Sequence, residues 1–367
     1  MRPNGNPPPV GAEPAPIGSG RVTSMAGWLA KRRQPRTDAP RLSVVIPVYN
    51  AEDIIGECLE HVFASTWRDF EVVLVDDGCT DGTRAIAARF PVRVVPTSGR
   101  VGPAAARNLG ARLAEGDVLF FIDSDVMVRP DSLALLMTRF DAGDDVDAVV
   151  GVQAAEMRHR DLVSQYKNLW MRWTYCRLDG DVPLFYTTAA AIRRDAFLRA
   201  GGFDHGYATP NVEDTAFGQK LQRLGMRVRV QSELEVEHVK HYSLRGLLRT
   251  DFMRAVSLTR LKLRHRDEFA SNNTSVPAGY IASGPVVLLT TLAALAAVGF
   301  RSPGAMGLAV AGAAAVAVLN REFLAEIARA EGTARTLGAF PILWIELLVA
   351  GIGAGVGLMS YPFGRRY

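Results

Sequence analysis

Two aspartates at i and i+2, Asp123 and Asp125, directly follow the apolar run VLFFI. Carboxylates spaced this way on the turn after a strand can hold a hard divalent cation, which can bridge the phosphates of a bound nucleotide. The spacing alone is weak evidence, because Asp145/Asp147 and Asp179/Asp181 repeat it. Only 123–125 follows a buried apolar strand, so position singles it out. A solvated turn is the structural alternative. Asp76 and Asp77 close the run FEVVLV. A carboxylate there can accept a base imide N–H or bond a ribose hydroxyl, or it can cap a helix within the turn-rich stretch DDGCTDGT. Glu213 and Asp214 open a helical stretch. They suit the helix dipole, and either can act as a general base toward a weak acid such as a hydroxyl. Arg107, on a helical stretch, can pair a phosphate or a surface acid. His238 and His241 flank Lys240 after a strand and can ligate a metal or serve structure.

The elements that must position these residues alternate. LSVVIPVYN, FEVVLVDD, VRVVP and DVLFFIDSDV read as strands, separated by helical stretches at 52–64, 83–90 and 102–113. This β-α order implies a mainly parallel sheet flanked by helices, with ligands beyond the carboxyl ends of its strands. Those ends carry Pro47–Asn50, Asp76–Asp81 and Asp123–Asp125. A less regular half follows to about residue 240. It contains the strands DAVVGVQAA and VRVQSELEVEHV and the helices LVSQYKNLWMRWTY and 212–224.

Residues 1–40 hold eight prolines and read as a disordered Pro/Gly-rich arm without a secretory signal. Residues 241–270 read as a basic amphipathic helix lying on a membrane surface. Its leucines recur at helical spacing, its arginines fill the rest, and Asp251 is the one acid between 243 and 266. From Pro277 to Asn320 the only formal charge is Arg301. Residues 277–360 read as membrane-embedded helices. 280–300 and 337–359 are long enough to span, 304–319 is marginal, and 321–336 suits the interface. The basic flank places the catalytic part on the cytoplasmic face. Three full spans would put Arg365 and Arg366 outside against that bias, unless the last segment is re-entrant. Glu346 should face protein or mark a function. GIGAGVG (351–357) lies in an apolar segment with no strand before it and reads as helix packing. The formal net charge is +4, with no Lys-rich run and no interleaved basic and aromatic residues, which argues against nucleic acid. Cys58, Cys79 and Cys176 fit neither a zinc site nor a disulfide framework, so a reducing compartment is expected.

Taken together, SVVIPVYN (43–50), VLVDDGCTDGT (73–83), GPAAARNLGARLAEGDVLFFIDSDV (102–126) and NVEDTAFGQKLQRLG (211–225) resemble family-two glycosyltransferases in order and spacing. The resemblance covers about 41–240. It implies an α/β GT-A fold, a nucleotide-sugar donor, magnesium or manganese, and inversion at the anomeric carbon. By position, Pro47, Tyr49 and Asp77 resemble nucleoside-binding residues, with Asp76 their neighbour. Arg107 resembles the basic residue near base and phosphates. Asp123 and Asp125 resemble the metal-binding pair, and His238 a later metal or diphosphate ligand. Asp214 resembles the catalytic base, and Glu213 its acceptor-side partner. Cys79 stands where the family usually has Ser, which puts a hydroxyl contact in doubt. The Gln-x-x-Arg-Trp signature of processive members is absent, so transfer of one sugar is expected. The architecture points to a hydroxyl of a lipid or lipid-linked acceptor. A polyprenyl-phosphate acceptor, already ionised, is the enzymatic alternative. A non-catalytic nucleotide-sugar-binding scaffold is the alternative of another class. A Rossmann dehydrogenase is disfavoured because no G-x-G-x-x-G follows the first strand.

Overall fold

The computed structural model describes residues 39–143, 146–204, 212–264 and 274–363. Nearly all of the N-terminal arm, Asp145, the end of the basic helical stretch and Arg365/Arg366 lie outside the described residues.

The strands are β1 (Leu42–Val48), β2 (Phe70–Asp76), β3 (Arg93–Pro96), β4 (Val118–Ile122), β5 (Val126–Val128), β6 (Ala148–Gln153), β7 (Ala189–Arg193) and β8 (Val228–His238). They form a mixed sheet in the order β3-β2-β1-β4-β7-β6-β8-β5. The β3-β2-β1-β4 half is parallel throughout. β7 runs antiparallel to both β4 and β6, and β5 antiparallel to β8. β1, β4 and β6 read as unbroken apolar, β-branched runs because helices cover both faces of the sheet and bury both sets of side chains.

The flanking helices are α1 (Ile55–Phe63), α2 (Thr83–Ala87), α3 (Pro103–Leu113), α4 (Ser132–Asp141), α5 (Leu162–Cys176), α6 (Arg194–Ala200) and α7 (Glu213–Arg223). Strand DVLFFIDSDV breaks into β4 and β5, with 123–125 as the turn between them. The break lets β5 leave β1 and β7 and pair with β8 instead. Helix α4 then follows, from a stretch that the alternation of motifs did not single out.

Helices α8 (Leu244–Arg264), α9 (Ala278–Phe300), α10 (Pro303–Leu319), α11 (Arg321–Glu331) and α12 (Thr333–Ser360) complete the chain. α9 and α12 are long and apolar enough to cross a membrane. α10 falls short alone and joins α11 at a 71° bend. Leu289, Leu295, Val298 and Phe300 on α9 and Leu337, Ile352 and Met359 on α12 are exposed. Apolar surface of this extent needs a covering that water does not provide. Two of the 351–357 glycines serve packing: a Cβ on Gly353 would meet the Phe252 carbonyl oxygen at 2.6 Å, and one on Gly357 the Val256 oxygen at 2.8 Å, so α12 lies directly on α8, whereas Gly351 and Gly355 face open space. α11 docks on α5 through Phe323, whose ring is 4.9 Å from Trp170 and 5.4 Å from both Trp173 and Tyr166. Glu346 faces protein, as its cost in lipid requires: it is 2% exposed, beside Lys167 and Tyr166.

Candidate active site

Asp123, Asp125 and His238 converge, each offering a ligand atom within 4.8 Å of the others. Sheet pairing brings them together. β5 runs antiparallel to β8 with Val126 opposite His238, so the end of β8 lies beside the aspartate turn. The Val239 N–H donates to the Asp125 carbonyl at 2.8 Å and fixes the crossing. His238 Nε2 is 3.3 Å from Asp125 Oδ2, and its Nδ1 is 3.4 Å from Gln153 Nε2. Burial alone would raise the Asp125 carboxyl, but the His238 ring outweighs it and holds the acid below the usual carboxylate range. Two carboxylates and an imidazole suit magnesium or manganese. For Nε2 to take a metal, the ring proton must sit on Nδ1, and Gln153 must then turn its amide oxygen toward it.

Arg107 joins this group to the acidic helix end. It is 4% exposed on α3, with Nη2 donating to Asp123 Oδ1 at 2.6 Å and Nη1 to Glu213 Oε1 at 3.3 Å. In the structure its partners are two acids, the part-exposed Asp123 and the buried Glu213. Its Nε has no partner among the described residues. Thr188 Oγ1 lies 3.4 Å from Asp123 Oδ2.

Asp214 stands in the first turn of α7. Phe217, one turn on, anchors that helix against Phe203 (4.6 Å) and Phe185 (5.1 Å). A Cβ on Gly218 would meet the Leu184 backbone at 2.5 Å, so only glycine lets α7 lie this close to 182–186. Asp214 Oδ1 accepts from its neighbour's Thr215 N–H at 2.6 Å. Burial, then the adjacent Glu213 charge, pushes the Asp214 carboxyl up to about 6, against the pull of Arg254 and Arg107. That value suits a group that must take a proton near neutrality.

The other edge of the site is built differently. Asp77 Oδ1 accepts from Val101 N (2.8 Å) and Thr97 Oγ1 (3.1 Å), and Oδ2 from Gly102 N (2.9 Å), tying 97–102 to the end of β2. Asp76 is fully buried and turned away, accepting from Cys79 N at 2.7 Å and from Arg84. Asp76 caps no helix, since Gly82 stands at the N-cap of α2; its two oxygens are engaged by Cys79 and Arg84. The Cys79 thiol fits: Asn50 N lies 3.3 Å from its sulfur, and burial pushes the thiol up to about 11. Pro47 is half-buried in β1. Tyr49 is 40% exposed, with the Arg100 guanidinium 4.1 Å from its ring centroid. His241 stays out of the cluster, exposed beside Asp161.

Sequence reasoning missed Arg100, Gln153 and above all Arg254. Arg254 belongs to the basic face expected to meet lipid, yet it bears on Asp214, Tyr175 and Tyr186. The signal was Asp251. A lone acid one turn before Arg254 and one turn after the buried Leu247 marks the inward face of α8.

Residues 43–200 match the family described as Glycosyl transferase family 2. The chain is 35% identical over 115 residues to Glycosyltransferase GlyG of Streptococcus pneumoniae, covering 30% of this chain and 38% of that protein. It is 35% identical over 169 residues to an uncharacterized glycosyltransferase of Haemophilus influenzae, covering 45% of this chain and 59% of that one. In both cases the match spans less than two thirds of the relative. Mannosyltransferase PcManGT from Pyrobaculum calidifontis, solved in complex with GDP-Man and Mn2+, superposes with a TM-score of 0.53 at 24% identity, covering 89% of this chain and 92% of that one. That likeness is one of fold. The chain thus carries a glycosyl transferase family 2 domain over residues 43–200, on a GT-A-like fold.

Proposed function

We propose that the protein is a membrane-anchored, inverting glycosyltransferase that moves one sugar from a nucleotide-sugar to a hydroxyl of a lipid or lipid-linked acceptor. The observation that carries this reading is the network that buried Arg107 forms with Asp123 and Glu213, with Asp125 and His238 at one end and Asp214 at the other. The donor's nucleoside lies along the Tyr49–Asp77 edge, and its diphosphate lies toward Asp123 and Asp125. A divalent cation held by Asp123, Asp125 and His238 would supply Lewis-acid neutralisation of that diphosphate. Arg107 orients Asp123 and Glu213 together and leaves its Nε for a ligand oxygen. Asp214 takes the proton from the acceptor hydroxyl as that oxygen attacks the anomeric carbon opposite the leaving group. The exposed apolar faces of α9 and α12 favour a bilayer beside the site, and hence a lipid acceptor. The basic flank favours its cytoplasmic face.

The test is nucleotide release by detergent-solubilised protein from UDP-, GDP- and dTDP-sugars with manganese, with and without added membrane lipids. Release of one nucleotide is expected, abolished by chelation and in Asp125→Ala. Nucleotide binding without release under any condition would replace this reading with that of a non-catalytic binding protein.

A further inference from the structure

Around the Asp123–Asp125–His238 triad, a chain of polar side chains runs from one aspartate to the other. Gln153, 4% exposed at the end of β6, stands at its middle. Its Nε2 donates to Tyr186 Oη at 2.9 Å and lies 3.4 Å from His238 Nδ1. His238 Nε2 continues to Asp125 Oδ2 at 3.3 Å. On the other side, buried Thr188 hydrogen-bonds the Tyr186 side chain, and its Oγ1 lies 3.4 Å from Asp123 Oδ2. The Arg172 guanidinium donates to the Gln153 carbonyl at 2.8 Å, which fixes the backbone and leaves the amide as the part that can turn. That amide has no other hydrogen bond among the described residues, so turning it breaks none elsewhere.

Gln153 sets the direction of every bond in this chain. An amide nitrogen only donates, so Tyr186 Oη and His238 Nδ1 both accept from it. The imidazole proton then sits on Nε2 and goes to Asp125. The phenol proton goes to Thr188, whose own proton goes to Asp123. Both arms therefore end as donors on the two carboxylates, and the imidazole lone pair faces the amide instead of the triad. In this state the site satisfies its own acids. Exchanging the amide oxygen and nitrogen reverses both arms. Oε1 accepts from Nδ1–H and from the phenol, the phenol oxygen accepts from Thr188, and Asp123 and Asp125 each lose a donor. The imidazole gives up its Nε2 proton to solvent and takes one at Nδ1, so its proton count is unchanged. The Nε2 lone pair and both carboxylates are then open together. An amide can do this because it carries a donor end and an acceptor end of nearly equal shape.

We propose that Gln153 is a positioning residue for the cation site. With its nitrogen toward Tyr186 and His238 the site is closed on itself; with its oxygen there the site is ready for a hard divalent cation. This rests on the cation reading above and adds the residue that governs it. The test titrates full-length protein in detergent with Mn2+ alone, following free Mn2+ by electron paramagnetic resonance. Gln153→Met keeps the length of the side chain and loses both ends of the amide. Its Mn2+ affinity should fall about 10–100-fold, the usual cost of losing the partner behind a ligand. Gln153→Glu keeps the acceptor end and should bind Mn2+ at least as tightly as the parent protein. A packing role predicts the opposite order, since an uncharged methionine suits a buried position better than a carboxylate does. Nitrogen-15 spectra of histidine-labelled protein at pH 8, with His238→Asn to assign the signal, give a second readout. The proton should sit on Nε2 without cation and on Nδ1 with magnesium. A methionine variant that binds Mn2+ like the parent, a glutamate variant weakened as much as the methionine one, or a proton on Nδ1 before any cation is added would overturn the proposal. A parent protein that binds no Mn2+ would sink the cation reading, whereas Mn2+ bound alike by all three proteins would sink the role of Gln153 alone.

Discussion

Two clusters in this molecule each set one buried cation between two carboxylates, with opposite consequences. At the strand ends, Arg107 lies between Asp123 and Glu213. At the junction of α5, α8 and α12, Lys167 lies between Asp251 and Glu346. In the first, the Asp123 side chain is 28% exposed and Asp125 beside it 34%. In the second, the three side chains are 6%, 8% and 2% exposed. The open cluster stands on a turn and a helix end, so its acids can trade a protein partner for a ligand. The closed cluster is made helix to helix and has no such exchange available to Lys167. It pins the apolar helices to the α/β part at one register, the use to which buried ion pairs are best suited.

The sharpest way to separate the two is to remove one charge from each. Asp214→Asn should cut transfer to a hydroxyl by about 10²–10⁴-fold, the usual yield of general base catalysis. Thermal unfolding should occur at the same or a higher temperature. An acid whose folded value is raised binds its proton more tightly in the folded state, so its ionisation above about 6 works against the fold, and a neutral amide relieves that. Substantial activity in Asp214→Asn would mean an acceptor already ionised, such as a polyprenyl phosphate.

The reverse pattern is expected at the junction. Lys167→Met leaves Asp251 and Glu346 buried without their cation, which should cost about 3–5 kcal/mol. Denaturant titration in detergent should show the loss, while the nucleotide affinity of protein still folded stays unchanged. A milder probe is pH. Transfer should rise through pH 6 as Asp214 loses its proton, so that the rate at pH 5 is about a tenth of that at pH 7. A flat profile in that window would remove Asp214 from the role of base.

How much of this was legible beforehand follows from the reach of each signal. β1, β2 and β4 were readable because both their faces are buried and the apolar run is unbroken. The aspartate turn and the acidic opening of α7 were readable because each sits at the end of one element. Local sequence carries no trace of the pairing of β5 with β8, which brings His238 to Asp125 across 113 positions. It equally hides that Asp76 is engaged by Cys79 and Arg84, and Asp77 by Thr97, Val101 and Gly102. α8 shows the limit of an amphipathic pattern. Periodicity finds a buried face, but the partner of that face decides whether Arg254 meets lipid or Asp214.

The smallest effect in the comparison is expected from Glu346→Gln. Glutamine keeps the shape and an oxygen to accept from Tyr166, and Lys167 keeps Asp251 at 2.6 Å. What disappears is the more distant partner of the lysine, at 3.7 Å, together with one charge held inside an apolar helix. The Coulombic loss and the desolvation gain oppose each other, so stability should change by less than about 1 kcal/mol, in either direction. At the open cluster the matching change, Asp123→Asn, should abolish metal-dependent nucleotide release, because an amide oxygen is a far poorer ligand for a hard cation than a carboxylate. A Glu346→Gln protein that lost activity while keeping its unfolding midpoint would break the division between the two clusters. It would place Glu346 in the handling of the acceptor, across a cavity between α5, α8, α9 and α12 whose wall it shares with Arg254.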